Sequence, residues 1–180
     1  RLWNMRDPSA EPIVLNGHED NVNTLAFSPD GNWLATGSLD KTARLWDMRD
    51  LSAEPIVLNG HEDNVNTLAF SPDGNWLATG SADSTARLWD MRNPSAEPIV
   101  LKGHEGFILI LTFSPDGNWL ATGGQDTTAR LWDMRNPSAE SIVLKGHEDR
   151  IVTLAFSPDG NWLATGSDDH TARLWDMRNP

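Results

Sequence analysis

The chain of 180 residues carries a formal net charge of −12 at pH 7, contains nine tryptophans and has no cysteine. The lack of cysteine excludes a disulfide framework, a thiol nucleophile and a thiolate-bound metal. The acidic residues are spread along the chain and no basic stripe is present to follow a phosphate backbone, so we expect neither nucleic acid nor an anionic membrane surface as a partner.

A unit of 43 residues recurs four times, almost letter for letter, and dominates the sequence. Each copy opens with Gly-His-Glu and ends on an Arg-Leu-Trp-Asp-Met-Arg stretch and a short tail. A unit of this size cannot bury its apolar face alone, so neighbouring copies must stack side by side. We treat residues 1–180 as a single repeat domain. Its units are 17–59, 60–102, 103–145 and 146–180, preceded by residues 1–16.

The unit that begins at residue 60 predicts four short strands in chain order. Residues 65–70 are rich in apolar side chains, residues 76–80 follow a Ser-Pro-Asp-Gly turn, and residues 85–91 alternate apolar and polar. After a longer loop, residues 98–101 form a fourth strand that starts with a proline, which a sheet edge tolerates best. Turn residues interrupt the chain too often for a helical solenoid. Four antiparallel strands in about 43 residues form one propeller blade, so we predict an all-β propeller fold with four blades in the chain.

The turn and strand motifs of each unit resemble those of a known family. Gly-His, Ser-Pro-Asp-Gly and Asp-x-Thr-Ala-Arg-Leu-Trp-Asp recur at spacings similar to those of the Trp-Asp (WD) repeat β-propellers, and the near-identical copies look most like bacterial WD-repeat arrays. The resemblance implies a buried polar network in each blade. A buried aspartate needs hydrogen-bond donors, and imidazole, hydroxyl and indole groups are three suitable ones. The implied residues are His18, Thr36, Asp40, Trp46; His61, Thr79, Asp83, Trp89; His104, Thr122, Asp126, Trp132; and His147, Thr165, Asp169, Trp175.

The same histidine, aspartate and hydroxyl groups also invite a catalytic interpretation. A catalytic triad needs one site with an exposed nucleophile and an oxyanion hole, whereas this set occurs in every unit, as a scaffold would. Asp168, Asp169 and His170 are three possible metal ligands in a row. An exposed turn is the simpler interpretation, because Asp169 already belongs to the implied network. We therefore expect no enzyme activity, no metal and no cofactor.

The few differences between the copies concentrate at one end of the predicted blades. In WD-repeat propellers this end resembles the usual partner-binding face, and variable loops on one face of a repeat protein commonly form its binding face. The candidate residues are Asn21, Leu39, Lys41, Asn64, Ala82, Ser84, Phe107, Leu109, Gln125, Arg150, Asp168 and His170. The third unit departs most, and Phe107 with Leu109 would place apolar area near the central channel. This change either anchors a partner peptide or reflects local repacking and drift after duplication.

Four blades are fewer than a WD-repeat ring usually has, so closure needs further blades. We expect two copies of the chain to close an eight-bladed ring about a two-fold axis. The last unit lacks a fourth strand, and residues 12–15 repeat the fourth-strand pattern, so residues 1–16 would complete that blade in the ring. Residues 1–8 repeat the third-strand pattern of residues 173–180, and we expect them to be displaced because Asn4 replaces the usual aspartate. Alternatively, the chain is a piece of a longer array.

Two functional hypotheses follow from these patterns. The first is a non-catalytic scaffold that presents the variable end of its blades to a protein or peptide. The second is a half-propeller that assembles with itself and has no partner of its own, which the near identity of the copies favours. With no cysteine and no apolar run near the roughly 20 residues of a membrane span, we expect a cytoplasmic location.

Overall fold

The computed structural model describes Leu2, Asp7 and residues 9–180 of the chain. All regular secondary structure in this part of the chain is β-structure, which confirms the predicted fold class. No helix in the described residues has the length and apolar character needed to cross a membrane. The fold is therefore a series of antiparallel sheets, which we number as blades 1 to 4.

Blades 1 to 3 have four strands each, and blade 4 has three in the described part of the chain. Blade 1 comprises β1 Val22–Phe27, β2 Trp33–Ser38, β3 Ala43–Asp47 and β4 Ile56–Leu58. Blade 2 comprises β5 Val65–Phe70, β6 Trp76–Ser81, β7 Thr85–Asp90 and β8 Ile99–Lys102. Blade 3 comprises β9 Ile108–Phe113, β10 Trp119–Gly124, β11 Ala129–Asp133 and β12 Ile142–Leu144. Blade 4 comprises β13 Ile151–Phe156, β14 Trp162–Ser167 and β15 Ala172–Asp176. In each sheet the strands follow one another in sequence order.

Hydrogen bonds of their own side chains stabilise the Ser-Pro-Asp-Gly-Asn turns between the first and second strands. In blade 2, Ser71 Oγ donates to Asp73 Oδ1 at 2.6 Å, and the backbone N–H of Asn75 donates to the same oxygen at 3.0 Å. Ser71 Oγ also accepts the backbone N–H of Trp76 at 3.0 Å. These hydrogen bonds lower the pKa of Asp73, with the Ser71 hydroxyl as the largest cause. The turn therefore fixes the register in which β5 and β6 pair.

A β-bulge interrupts the pairing of the first and second strands in every blade. In blade 2 the register shifts between Val65 and Thr67, which leaves Asn66 as the extra residue. Equivalent shifts occur in the other blades. The bulge lies at the start of the first strand, beside the loops in which the copies differ, so it re-aims side chains at that end of the blade.

Consecutive blades bury their apolar faces against each other. Between blades 1 and 2, Leu45 and Leu58 of blade 1 share a core with Leu77 and Trp89 of blade 2, and the same arrangement recurs in the next two interfaces. Gly80 permits the close approach, because a Cβ built on it would lie 2.7 Å from Ile108 Cγ2 of the following blade. The stacking that the repeat predicts is therefore present.

The two end faces of the four-blade stack carry exposed apolar side chains. On blade 1, Leu25 is 63% exposed, whereas its equivalent Leu68 is 7% exposed under the preceding blade. On blade 4, Leu174 is 69% exposed, whereas its equivalent Leu131 is fully buried under the following blade. Each end of the stack thus exposes an apolar face, and the equivalents of these two faces are buried against each other between consecutive blades.

Near the start of the chain, Leu2 pairs with Ile13. Leu2 and Ile13 exchange two backbone hydrogen bonds of 2.8 and 2.9 Å, in the register of the Leu45–Ile56 pair of blade 1. The displacement of residues 1–8 in a closed ring stays a prediction. Arg1, residues 3–6 and Pro8 lie outside the described residues. Completion of blade 4 by residues 12–15 of a second copy stays a prediction.

Candidate functional site

One backbone hydrogen bond in each blade joins the two loops in which the copies differ. In blade 1 the N–H of Leu39 donates to the carbonyl oxygen of Asn21 at 3.0 Å. The equivalent pairs, at 2.9 to 3.1 Å, are Ala82 with Asn64, Gln125 with Phe107 and Asp168 with Arg150. Positions that lie 18 residues apart in sequence are thereby neighbours at one end of each blade. We call the twelve variable residues of the sequence analysis, at these loops in the four blades, the variable face.

The second turn of each blade contributes one residue with a left-handed backbone. Lys41, Ser84, Thr127 and His170 have φ angles of 65° to 69°, and all of them carry a side chain. This conformation costs about 1 kcal/mol or more for residues other than glycine and asparagine, and it is least favourable for the β-branched Thr127. A position that differs in all four copies is therefore one at which a side chain has an energetic cost.

The variable face is not uniformly accessible. Asn21, Lys41, Gln125, Arg150 and His170 are exposed. Phe107 is the one large apolar residue of the variable face that is exposed, to 45%. Leu39, Asn64, Ser84, Leu109 and Asp168 are partly buried. Ala82 is 8% exposed, so the structure gives it little surface for contact with a partner.

In blade 4 the variable face is charged and internally paired. Arg150 Nε donates to Asp168 Oδ2 at 2.5 Å, which raises the pKa of the guanidinium. Asp169, the next residue, accepts from His147 at 2.7 Å. The two carboxylates of the Asp168-Asp169-His170 run are thus engaged with different partners, and the described residues contain no cluster of three metal-binding side chains.

The bulge residue of each blade is a position that sequence reasoning largely missed. These residues are Asn23, Asn66, Leu109 and Val152. Only Leu109 was named from the sequence, although the position is asparagine in blades 1 and 2, leucine in blade 3 and valine in blade 4. Val152 is 42% exposed. Asn66 Nδ2 donates to the carbonyl oxygen of Ile108 at 3.0 Å, so in blade 2 the bulge residue ties one blade to the next.

The polar network of each blade is a linear chain of hydrogen bonds. In blade 2, Trp89 Nε1 donates to Thr79 Oγ1 at 3.0 Å, Thr79 Oγ1 lies 2.8 Å from His61 Nε2, and His61 Nδ1 lies 2.8 Å from Asp83 Oδ2. The same contacts recur in blades 1, 3 and 4. The structure thus brings together all sixteen residues, four to a blade.

The order of donors assigns the imidazole tautomer. The indole can only donate, so Thr79 Oγ1 accepts from Trp89 and its own proton is free to bond His61 Nε2. The imidazole proton then sits on Nδ1 and is donated to Asp83. The sequence analysis expected hydroxyl and indole groups to reach the carboxylate as well, but Trp89 and Thr79 contact it only through the histidine.

Asp83 receives further hydrogen bonds from its own turn and from the loop that precedes the blade. Oδ1 accepts the N–H and the hydroxyl of Thr85 at 2.8 and 2.7 Å, and Oδ2 accepts the N–H of Glu62 at 3.0 Å. Burial raises the pKa of Asp83, but the hydrogen bonds from His61, Thr85 and Glu62 outweigh it and hold the pKa well below its usual range. With both oxygens occupied, the carboxylate serves as the point at which two loops of the blade are joined.

The hydroxyl and imidazole groups of the blade 2 network are withdrawn from the surface. Thr79 is fully buried, and its hydroxyl is bonded to both His61 and Trp89. The imidazole of His61 has no exposed side-chain surface. A reacting atom cannot approach either group, so the network acts as a structural element in this blade and in its three copies.

Comparison with known proteins places these blades in a family. The model of the family described as WD domain, G-beta repeat matches residues 11–47, 54–90, 97–133 and 139–176. The chain belongs to the WD-repeat family. Each matched stretch in this WD-repeat chain ends with the third strand of a blade. The more specific likeness to bacterial arrays stays a prediction.

The WD-repeat chain is also similar to curated proteins over a short stretch. Guanine nucleotide-binding protein subunit beta-1 of Nicotiana tabacum is 50% identical over 44 residues, which cover 24% of this chain and 12% of that protein. The guanine nucleotide-binding protein subunits beta of Zea mays and Arabidopsis thaliana are each 48% identical over the same length, with the same coverage. The match thus spans one repeat and about an eighth of each relative.

Proposed function

We propose that this WD-repeat chain is a non-catalytic scaffold that binds a protein or peptide through the variable face. The observation that carries the proposal is the backbone hydrogen bond of each blade, which brings loops 18 residues apart to one place. The residues that differ between nearly identical copies thereby become neighbours. A surface of this kind can distinguish partners while the rest of each blade stays constant.

The relatives and the buried network support a binding role over a catalytic one. The relatives are named as beta subunits of guanine nucleotide-binding proteins, so each belongs to a protein assembly. The histidine, threonine and aspartate of each blade are engaged with one another below the surface. A cytoplasmic location is part of the proposal, since the fold needs no disulfide.

Phe107 is the proposed anchor of the interaction. It is 45% exposed in blade 3, beside the partly buried Leu109, where blades 1 and 2 carry asparagine at the equivalents of both positions. Aromatic side chains at the centre of an interface contribute a disproportionate share of binding energy. An aspartate at this position would place a charge where the partner's apolar group is expected to dock.

The test compares Phe107→Asp with Val57→Asp in affinity capture from a native extract. Val57 is 38% exposed on β4, away from the variable face, so it controls for the introduction of an acidic residue at an exposed apolar site. Proteins that bind the wild type and V57D but not F107D support the variable face. If F107D retains its fold and every bound protein, the face is not the binding surface.

A second candidate function is assembly of two copies into one ring. The exposed end faces favour it, because Leu25 of blade 1 and Leu174 of blade 4 are equivalent to residues that meet in the buried blade interfaces. A second copy that presents blade 4 to blade 1, twice, would cover all four faces. In this case residues 12–15 supply the missing strand of blade 4.

Sedimentation of the 180-residue chain decides this candidate. A mass of two chains at micromolar concentration supports the ring, whereas a strict monomer removes it. If the dimer forms and no protein is captured through the variable face, the chain is a self-assembling half-propeller without a partner, as the alternative hypothesis has it.

A further inference from the structure

Two positions beside the variable face are glycine in blade 3 alone. Gly106 lies in the loop that precedes the first strand, and Gly124 is the last residue of β10. The other three blades have an aspartate at the first position and a serine at the second: Asp20, Asp63 and Asp149, and Ser38, Ser81 and Ser167. Neither Gly106 nor Gly124 has a positive φ, so the backbone conformation does not require glycine at these positions.

In the other blades the aspartate and the serine join the two loops through hydrogen bonds. In blade 2, Ser81 Oγ donates to the carbonyl oxygen of Asp63 at 2.9 Å and accepts the N–H of Asp83 at 3.0 Å. Asp63 Oδ1 accepts the N–H of Asn64 at 2.8 Å. Blades 1 and 4 have the same three hydrogen bonds. Glycine has no side chain to make them, so blade 3 gives up contacts that stabilise the loops of every other blade.

Close packing of the backbone takes the place of these hydrogen bonds in blade 3. A Cβ built on Gly124 would clash with the carbonyl oxygen of Phe107, and a Cβ on Gly106 would lie 3.1 Å from the backbone nitrogen of Asp126. The carbonyl of Phe107 still accepts the N–H of Gln125 at 2.9 Å. The two loops therefore lie too close together for the serine and the aspartate of the other blades. The position of Phe107 depends on both glycines, which makes the three substitutions one coupled change.

The next blade adds apolar surface beside Phe107. A Cβ on Gly123 would lie 2.8 Å from Ile151 Cγ2, so the start of β13 packs against the end of β10. Val152 follows Ile151 and is 42% exposed. Phe107 and Val152 thus adjoin the same pair of residues, Gly123 and Gly124. Blades 1 and 2 have asparagine at the equivalents of both apolar positions.

The charge around this apolar surface is negative. Each of blades 3 and 4 has one third-strand arginine and one network aspartate, which balance each other. The remaining cations at this end have acidic neighbours, namely Lys145 with Glu105 and Arg150 with Asp168. Glu148 and Asp149 are exposed in addition. This end of the two blades therefore favours a basic partner and disfavours an acidic one.

We propose that Gly106 and Gly124 are positioning residues for Phe107, and that this site selects a protein segment in which an apolar side chain is flanked by basic residues. The inference rests on the proposed function, since it names the partner of the variable face. The apolar side chain of the partner contacts Phe107 and Val152, where burial of apolar area drives binding. The basic residues face the negative charge of the loops. A serine at position 124 forces the Phe107 loop outward and removes the anchor from its place.

Reciprocal exchanges between blades 2 and 3 test the positioning role. Gly106→Asp with Gly124→Ser gives blade 3 the residues of the other blades and keeps Phe107. Asp63→Gly with Ser81→Gly gives blade 2 the glycine pair and serves as the control. Both double variants reuse residues that the fold accepts at equivalent positions, and urea unfolding checks that they fold. The first readout is the fluorine NMR signal of a fluorophenylalanine at position 107. We expect G106D/G124S to shift this signal and D63G/S81G to leave it unchanged.

The second readout is the affinity for synthetic peptides, measured by fluorescence anisotropy. One peptide has a central leucine flanked by lysines, and two control peptides replace the leucine with serine or the lysines with glutamates. We expect the wild type and D63G/S81G to bind the leucine–lysine peptide about tenfold more tightly than either control peptide, since burial of one apolar side chain has an effect of this order. In G106D/G124S this preference should be lost.

A shifted fluorine signal together with a lost preference supports the proposal. An unshifted signal in G106D/G124S, a retained preference in that variant, or equal binding of the three peptides by the wild type would each overturn it. Failure of the proposed function has a different signature, because F107D would then keep every protein that the wild type captures. If F107D loses those proteins and G106D/G124S keeps them, the variable face binds a partner and only the positioning role is wrong.

Discussion

At the scale of single residues, the threonine of each polar network occupies the central position. The hydroxyl of Thr79 links Trp89 to His61, since it bonds to both. Removal of that hydroxyl leaves an indole N–H and an imidazole nitrogen unsatisfied in the interior. The cost of such unpaired buried groups exceeds the net value of an ordinary hydrogen bond.

We therefore expect Thr79→Val to lower the free energy of unfolding by roughly 1–3 kcal/mol. Thr67→Val is the control, because Thr67 is 6% exposed in the neighbouring strand β5 and its hydroxyl makes no hydrogen bond to the described residues. This variant leaves no hydrogen-bond partner unsatisfied, so we expect it to destabilise the chain less than T79V does. Urea unfolding measures both, and equal destabilisation of the two variants would contradict the role assigned to the network.

The network carboxylates also predict how stability depends on pH. Burial raises the pKa of Asp83, and hydrogen bonds from His61, Thr85 and Glu62 lower it further than burial raises it. The pKa values of Asp40, Asp126 and Asp169 are lowered in the same way. A lowered folded-state pKa means that the unfolded chain binds the proton first as pH falls. The contribution of each of these carboxylates to stability is complete above the unfolded-state pKa of about 3.9 and decreases below it.

We expect the unfolding free energy to decrease as pH falls from about 4 to 2. In Asp83→Asn one of these carboxylates is gone, so the slope of unfolding free energy against pH should be shallower in that window, in addition to a lower stability at pH 7. Unfolding curves recorded at several pH values test the slope. An unchanged slope in D83N would show that Asp83 does not titrate with folding.

The sequence predicted which residues form the network, but not the order in which hydrogen bonds connect them. The WD-like spacing of Gly-His and Trp-Asp was enough to group His61, Thr79, Asp83 and Trp89, and their hydrogen bonds join them. The chain-like order depends on strand register, which a motif does not contain. The sequence could not predict the burial of Ala82 or the lack of an acceptor for Arg87 Nε either, since both depend on neighbouring loops.

At the scale of the element, the strands were predictable because every unit repeats the same turn chemistry. The expected strand 65–70 coincides with Val65–Phe70, and the expected strand 98–101 is shifted by one residue to Ile99–Lys102. The bulge at Asn66 was not predicted, because alternation of apolar side chains gives no signal for one extra residue. It follows from the pairing with β6, in which Val65 opposes Ser81 and Thr67 opposes Gly80.

The glycine in the second strand sets how closely two blades approach. A Cβ on Gly80 would lie 2.7 Å from Ile108 Cγ2 of the next blade and 2.8 Å from Thr67 Cγ2 of its own. On Gly166 of blade 4 the Cβ would meet only Thr153 Cγ2 of its own blade, at 2.6 Å. The two glycines therefore share the clash within the blade and differ in the clash between blades.

We expect Gly80→Ala to destabilise the chain more than Gly166→Ala, by about 1–3 kcal/mol, the usual cost of overpacking an interior. Thermal or urea unfolding of the monomeric chain at low concentration measures the difference. The comparison cancels the contact with the threonine, which both variants have. Equal effects would mean that the contact within the blade, and not the packing between blades, requires glycine.

At the scale of the whole molecule, stability and assembly depend on what covers the end faces. Three interfaces between consecutive blades are buried, and a fourth set of matching faces is exposed at the two ends. Burial of apolar area stabilises such an interface by about 25 cal/mol per Å². The exposed Leu25 and Leu174 belong to the two complementary halves of such an interface. In the proposed ring these faces join head to tail, so that blade 4 of one copy meets blade 1 of the other.

A pair of charge variants distinguishes this ring from any dimer that joins like faces. Leu174→Asp and Leu25→Asp each place a carboxylate on one half of the interface, and burial of an unpaired charge is strongly unfavourable. In a ring of two identical variants both interfaces are damaged, so each variant alone should sediment as a monomer.

A mixture of the two variants contains one interface with both aspartates and one interface with neither. We therefore expect the mixture, and not the separate proteins, to form a one-to-one dimer that is weaker than the wild type. A dimer of L174D alone would mean that blade 4 takes no part in the contact, and a monomeric mixture would mean that the faces do not join head to tail.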